Sequence, residues 1–359
     1  MTYDIYNYIL ESAETVRNLI ASKEETMHDA VEYLADKDVR RVVILGSGTS
    51  YHACVTAKRS MAKSLGIPVE CMYPIDFKDG EVVRQEGTAV IGISQAGRST
   101  STILALQKAK ELGYYTISCT SERNTPVQEE GDCYLHLNVG EELSGPKTKG
   151  FIGSIAELAL FAAVLACRKG RMTPEEVSAL ENRLIASSEN IPDIAERSRA
   201  WAESNIEELE KCRRLIIVGY GGCIGAMMEG SLKILEGVRC SVTGYQMEEF
   251  MHGIYHSVWE NDYIIYLAEP GEYYSRLKGM LRYFDEERHA HQFVVTSDKA
   301  FENSRNAFVY PFRDDEDFAT MEYVVPLQVI TKVVSMRLGI DCNIPSDTQF
   351  HQKMGSYRY

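Results

Sequence analysis

The sequence predicts an α/β fold: two tandem, flavodoxin/Rossmann-like three-layer α-β-α units, each built on a parallel sheet. Three observations carry this. Short β-branched apolar runs alternate with helical patterns, the arrangement that produces parallel strands covered on both faces. Arg40 to Ser50 reads as a strand entering a glycine-rich turn and then a helix. Finally, Arg213 to Gly221 restates Arg40 to Gly48 at a shift of 173 residues. The same shift, without a gap, carries Ala53 onto Ala226, Asp76 onto Glu249 and Phe77 onto Phe250. An ungapped match over that span indicates internal duplication.

In chain order, residues 1–38 read as N-terminal helices, with Tyr6, Ile9, Val16 and Ile20 on one stripe and a second helix near Thr26 to Leu34. The first unit, 39–172, continues with strand candidates at Val69 to Tyr73, Val90 to Ser94, Tyr115 to Cys119 and Cys133 to Asn138. A charged helical connector spans 173–210, with Pro174 at a helix start and Pro192 interrupting it. The second unit, 211–340, has strands at Tyr263 to Leu267, Gln292 to Thr296 and Ala307 to Tyr310. A tail, 341–359, follows.

Composition narrows the function. At 359 residues, 45% hydrophobic and 25% charged, the chain is of globular type. A net charge of −14 and no long Lys/Arg run speak against nucleic acid as a partner. The longest fully apolar run, Leu158 to Cys167, is about half of what a membrane span requires. Nine scattered cysteines without a Cys-x-x-Cys pair suggest free thiols in a reducing cytoplasm, and no apolar export signal is expected.

The stretch Ser94 to Thr102 carries the chemistry. A buried strand precedes it and a helix closed by Gly113 follows, so free backbone N–H groups and the positive end of a helix dipole converge there. Ser and Thr hydroxyls and Arg98 stand alongside. A phosphate monoester fits such a loop, although Ser/Thr clusters are also ordinary helix caps. In the second copy, Leu267 to Glu272 has lost the hydroxyls and gained Glu269 and Glu272. One phosphate site is therefore expected, in the first unit.

Glu229, Lys233 and Glu236 share a helix face, a spacing that also describes a solvated stripe with an i,i+4 ion pair. His252 and His256 have a His-x-x-x-His spacing, but no third ligand is evident, so no metal is expected. Gly46-x-Gly48 lacks the third glycine of a dinucleotide fingerprint, Tyr51 standing in its place, and no cofactor is expected.

Together, Gly48-Thr49-Ser50, Ser94-Gln95-x-Gly97-x-Ser99, Thr148 to Phe151, Glu229 to Glu236 and His252-Gly253 resemble the sugar isomerase (SIS) domain family in its double-domain form. The resemblance is to the isomerase half of glucosamine-6-phosphate synthase and to its deglycase and deaminase relatives. With no N-terminal Cys nucleophile, a true synthase is not expected. The resemblance implies a phosphate cradle of Gly48, Thr49, Ser50, Ser94, Gln95 and Ser99. Ala96 replaces a serine, Arg98 a glutamate and Lys147 a serine near the sugar, so the substrate is expected to be decorated differently. It further implies Glu236 as the base moving a proton between C1 and C2, provided burial raises its pKa, with Lys233 and Glu229 beside it. His252 would open the sugar ring from a neighbouring subunit, giving a homodimer, possible pairing into a tetramer, and shared active sites. Lys353, in Ser346 to Met354, matches the family's Schiff-base lysine, with His351 beside it. The expected reaction is amine removal from a 6-phosphorylated ketosamine or amino sugar. Plain aldose–ketose isomerisation is the enzymatic alternative, and a non-turning-over sugar-phosphate sensor the other.

Overall fold

The computed structural model describes residues 4–359, so the first three residues of the N-terminal segment lie outside the described residues. It contains two five-stranded parallel sheets. The first comprises β1 (Arg41–Leu45), β2 (Val69–Met72), β3 (Thr88–Ile93), β4 (Tyr115–Thr120) and β5 (Cys133–His136), in the order β2-β1-β3-β4-β5. The second comprises β6 (Arg214–Gly219), β7 (Ser241–Gln246), β8 (Tyr263–Ala268), β9 (His291–Thr296) and β10 (Ala307–Val309), in the order β10-β9-β8-β6-β7. Counted from the first strand of each sheet, the two orders are the same.

The duplication extends to register. Val42 pairs with Val69 in the first sheet and Leu215 with Val242 in the second, both displaced by the 173 residues read from sequence. One step later Val42 pairs with Ala89 but Leu215 with Tyr263, a displacement of 174 (263 minus 89). The second copy has therefore gained a residue before β8.

The chain forms two compact units. One takes in residues 12–142, 149–185 and 346–359; the other takes in the chain up to Glu11, 143–148 and 186–345. In the first unit, β1 and β3 are buried throughout, and Val43, Leu45 and Val90 pack with Phe77, Ile103 and Leu106 from flanking helices. In the second, Ile216, Val218, Ile264 and Tyr266 form a core with Phe250, Leu277 and Phe284.

Several details differ from the sequence expectations. The first helix, Ile5–Thr26, buries Ile5, Tyr8, Ile9, Ala13, Val16 and Leu19, leaving Tyr6 and Ile20 half-buried. Pro192 does not interrupt a helix but occupies the first turn of Ile191–Ser204, where its missing N–H costs nothing. The helix Lys149–Arg168 is much longer than the apolar run suggested and is long and apolar enough to cross a bilayer. Most of it is buried inside the fold and it carries the buried Glu157, so here it serves as a core helix.

Candidate functional site

The order β2-β1-β3 reverses direction between β1 and β3, and in such sheets ligands bind in the crevice beyond the carboxyl ends of these two strands. The two turns singled out from sequence lie there. After β1, Gly48 adopts φ 55°, a left-handed conformation that favours glycine, and Thr49 and Ser50 open the helix Thr49–Leu65. After β3, the Ser94 N–H donates to the Cys119 carbonyl (3.0 Å) and the Gly97 N–H to the Ser94 carbonyl (2.8 Å), folding a tight turn. Ser99 caps the helix Thr100–Glu111: its Oγ accepts from the Thr102 N–H (3.4 Å) and lies 3.0 Å from both Ser101 Oγ and Thr102 Oγ1. Capping and a hydroxyl cluster thus coexist in one loop.

Two residues expected to touch phosphate are engaged elsewhere. The Gln95 amide donates to Glu142 Oε2 (3.0 Å), and Glu142 also accepts from the Lys149 and Gly150 N–H groups (3.2 and 3.1 Å). The N-terminus of Lys149–Arg168 is therefore neutralised by the chain's own carboxylate. A Cβ on Gly150 would collide with the Gln95 amide, so this glycine is what admits the contact. Arg98 bonds Glu122 (2.9 Å), with its guanidinium 5.5 Å from the centre of the Tyr359 ring. Much of the charge expected from Arg98 is thus matched within the protein. Lys147 donates to the Ser144 carbonyl (3.0 Å) in the second unit.

The tail meets this loop through backbone pairing, which the sequence did not signal. The Thr100 N–H donates to the Ser356 carbonyl (3.0 Å), Thr100 Oγ1 to that of Gly355 (2.9 Å), and the Arg358 N–H to that of Arg98 (2.9 Å). Ser99 and Tyr357 form an antiparallel bridge. His351 stacks on Tyr357 at 3.9 Å with 3° between the ring planes, and its Nδ1 lies 2.9 Å from Ser356 Oγ. Lys353 is exposed and ion-paired with Asp347 (2.9 Å).

In the second unit, the helix Ile224–Val238 turns Glu229, Lys233 and Glu236 to one side, but not as a solvated stripe. Lys233 is 1% exposed and Glu229 0%. The Lys233 ammonium lies 2.7 Å from Glu236 Oε2 and 3.4 Å from Glu229 Oε1. Burial acts to lower the Lys233 pKa, but the two carboxylates outweigh it and hold the pKa above its ordinary value. Lys233 is therefore a fixed cation. The burial expected of Glu236 falls instead on its neighbours: the Glu236 side chain is 37% exposed. What the helix presents is an ion-anchored carboxylate at the surface, not a desolvated one.

His252 is exposed on the loop after the short helix Met247–Phe250, and Gly253 beside it has φ 122°. His256 stacks on Tyr255 and His291 on Tyr263. Among the described residues, no group of three or more His, Cys, Asp or Glu side chains is placed to hold a metal ion. At the crevice of the second sheet, the carboxylate of Glu269 accepts from the Gly222 N–H (3.0 Å), and the Tyr220 hydroxyl donates to the Glu269 carbonyl. The second copy has filled its own anion position.

Comparison with known proteins agrees with this architecture. The SIS domain family model matches residues 34–165. Glutamine–fructose-6-phosphate aminotransferase (isomerizing) of Aquifex aeolicus is 27% identical over 353 residues, covering 96% of this chain and 56% of that protein. The chain spans about half the length of the curated relatives it matches. A Clostridium difficile protein provisionally assigned as a phosphosugar isomerase has a solved structure that superposes with a TM-score of 0.92, at 30% identity and 99% coverage of both chains. Glucosamine-6-phosphate deaminase of Thermotoga maritima shares the fold (TM-score 0.71, 20% identity, coverage 95% of this chain and 96% of that one).

Proposed function

Since the chain belongs to the SIS domain family of phosphosugar isomerase-like proteins, we propose that it removes the amine from a 6-phosphorylated ketosamine or amino sugar. The observation that carries this reading is Glu236, an accessible carboxylate fixed by a buried ammonium. In this reading the Ser94–Ser99 loop, with Gly48, Thr49 and Ser50, holds the phosphate through N–H groups and hydroxyls. Lys233 and Glu229 fix the position of Glu236, which carries a proton between C1 and C2 of the open-chain sugar. His252, exposed on its loop, serves ring opening in the site of a second copy of the chain. Lys353 reaches the carbonyl carbon only if substrate displaces Asp347 from it. Free cysteines support an intracellular, reducing setting.

The test is a coupled assay on fructoselysine 6-phosphate, glucoselysine 6-phosphate and glucosamine 6-phosphate, following hexose 6-phosphate and free amine together. Stoichiometric release of both, falling at least about a hundredfold in Glu236→Gln, is the expected result. Interconversion of sugar phosphates without amine would replace this reading with isomerisation. Binding without turnover would replace it with a sensor. Mixing the inactive Glu236→Gln and His252→Ala variants should restore part of the activity, because mixed dimers regain one intact site. No recovery on mixing would place His252 in its own chain's site.

A further inference from the structure

Cys212 and Cys240 stand at the entrances of two neighbouring parallel strands, β6 and β7. Arg214 is in register with Ser241, and the Ser241 N–H donates to the Arg213 carbonyl (3.3 Å). That register sets Cys240 beside Arg213, one residue from Cys212, and with neighbouring strands about 4.8 Å apart and about 3.3 Å between residues such a diagonal pair stays inside the Cα separation of roughly 4.4–6.8 Å that a disulfide accepts. The two thiols act on each other: Cys240 raises the Cys212 pKa and Cys212 lowers that of Cys240. Cys212 is buried, whereas Cys240 is only half-buried and open to a small reagent.

We propose that Cys212 and Cys240 form a redox-sensitive pair that hydroperoxides close to a disulfide. The thiolate of Cys240 attacks the peroxide O–O bond, becoming a sulfenic acid and releasing one water once its hydroxide is protonated. The sulfur of Cys212 then displaces the sulfenic oxygen, which leaves with the Cys212 proton as a second water. Two thiols lose two electrons and two protons, and one hydrogen peroxide becomes two waters. A small thiol reductant reverses the change.

Cys240 is set apart from five of the other thiols. The neighbouring Cys212 thiol lowers the Cys240 pKa to about 7, with Arg213 contributing. Burial pushes the thiols of Cys54, Cys119 and Cys223 well up, and those of Cys71 and Cys133 up to about 12. Position gives the bond a consequence: Arg239, in a left-handed conformation, ends the helix that carries Glu236, and Cys240 is the next residue. A disulfide would tie the end of that helix to the start of β6.

The full chain, exposed to hydrogen peroxide, alkylated and digested without reductant, tests this. The expected result is loss of two thiols per chain, one cross-linked peptide pair joining Cys212 and Cys240, and reversal by dithiothreitol. The rate should rise with a midpoint near pH 7 and, at that pH, exceed that of an ordinary thiol roughly tenfold. Cys240→Ser should abolish the loss, and Cys212→Ser should leave Cys240 as a sulfenic acid trapped by dimedone. Oxidation that begins at any other cysteine, or Cys240 oxidised in the intact protein with no cross-link to Cys212, would overturn the proposal.

Discussion

At the scale of single residues, burial decides what each charge can do. Lys233 lies between two carboxylates, one fully buried, so removing it takes the ammonium partner from Glu229 in the interior. Breaking such a pair from one side costs about 3–5 kcal/mol. Lys233→Met should lower the urea unfolding free energy by that amount at pH 7, and adding Glu229→Leu should recover most of the loss. Glu322 shows the reverse situation. Burial pushes its carboxyl up to about 7, against hydrogen bonds from the Arg313 N–H (2.8 Å) and Asn190 Nδ2 (3.3 Å). The folded state therefore keeps a proton that the unfolded chain releases at its ordinary value of 4.5. Stability is full below 4.5 and declines as pH rises through about 7, by roughly 3 kcal/mol at 1.4 kcal/mol per unit. Glu322→Gln keeps an acceptor for the N–H groups and should remove this decline, a flat profile in urea titrations from pH 4.5 to 8 being the check. A decline unchanged in the variant would assign it to another group.

At the scale of elements, patterns confined to one stretch of chain were legible in the sequence and partners distant in sequence were not. The loop Ser94 to Thr102 announced its strand, its helix and a hydroxyl cluster of the kind that caps helices, because those signals are local. Strand β7 was missed because Ser241, Gly244 and Gln246 dilute its β-branched character, although carrying Val69–Met72 forward by 173 would have marked 242–245. Nothing local to Glu142 says that it satisfies Gln95 and the start of Lys149–Arg168. Nor does a polar, aromatic tail say that it will pair with Arg98 and Thr100. That pairing gives the tail a structural task. Ending the chain after Met354 would free the Thr100 N–H, its hydroxyl and the Arg98 carbonyl from their partners. Amide exchange at residues 98–102 should then quicken at least tenfold while β1 and β3 stay protected. If exchange there is unchanged, the loop is ordered by its own Ser99 cap alone.

At the scale of the whole molecule, one duplicated design has been used for two purposes. Strand order and the register between the first two strands are the same in both sheets, so the scaffold did not have to change for the roles to diverge. What changed is which groups stand in the crevice. In the first sheet, hydroxyls and helix N–H groups gather there with no acidic residue between Ser94 and Thr102. In the second, Glu269 already supplies the negative charge, bonded to the Gly222 N–H and 9% exposed. A second anion would have to displace a covalently tethered carboxylate. Calorimetric titration with a hexose 6-phosphate should therefore saturate at one ligand per chain. Ser99→Ala, which removes a hydroxyl and a helix cap together, should weaken that binding. Glu269→Ala should leave the stoichiometry at one while lowering stability by about 1 kcal/mol, the net worth of a partly buried hydrogen bond. Two ligands per chain in the unaltered protein would mean that the second crevice had kept its original use. Two appearing only in Glu269→Ala would mean that this single carboxylate, rather than the lost hydroxyls, is what retired it.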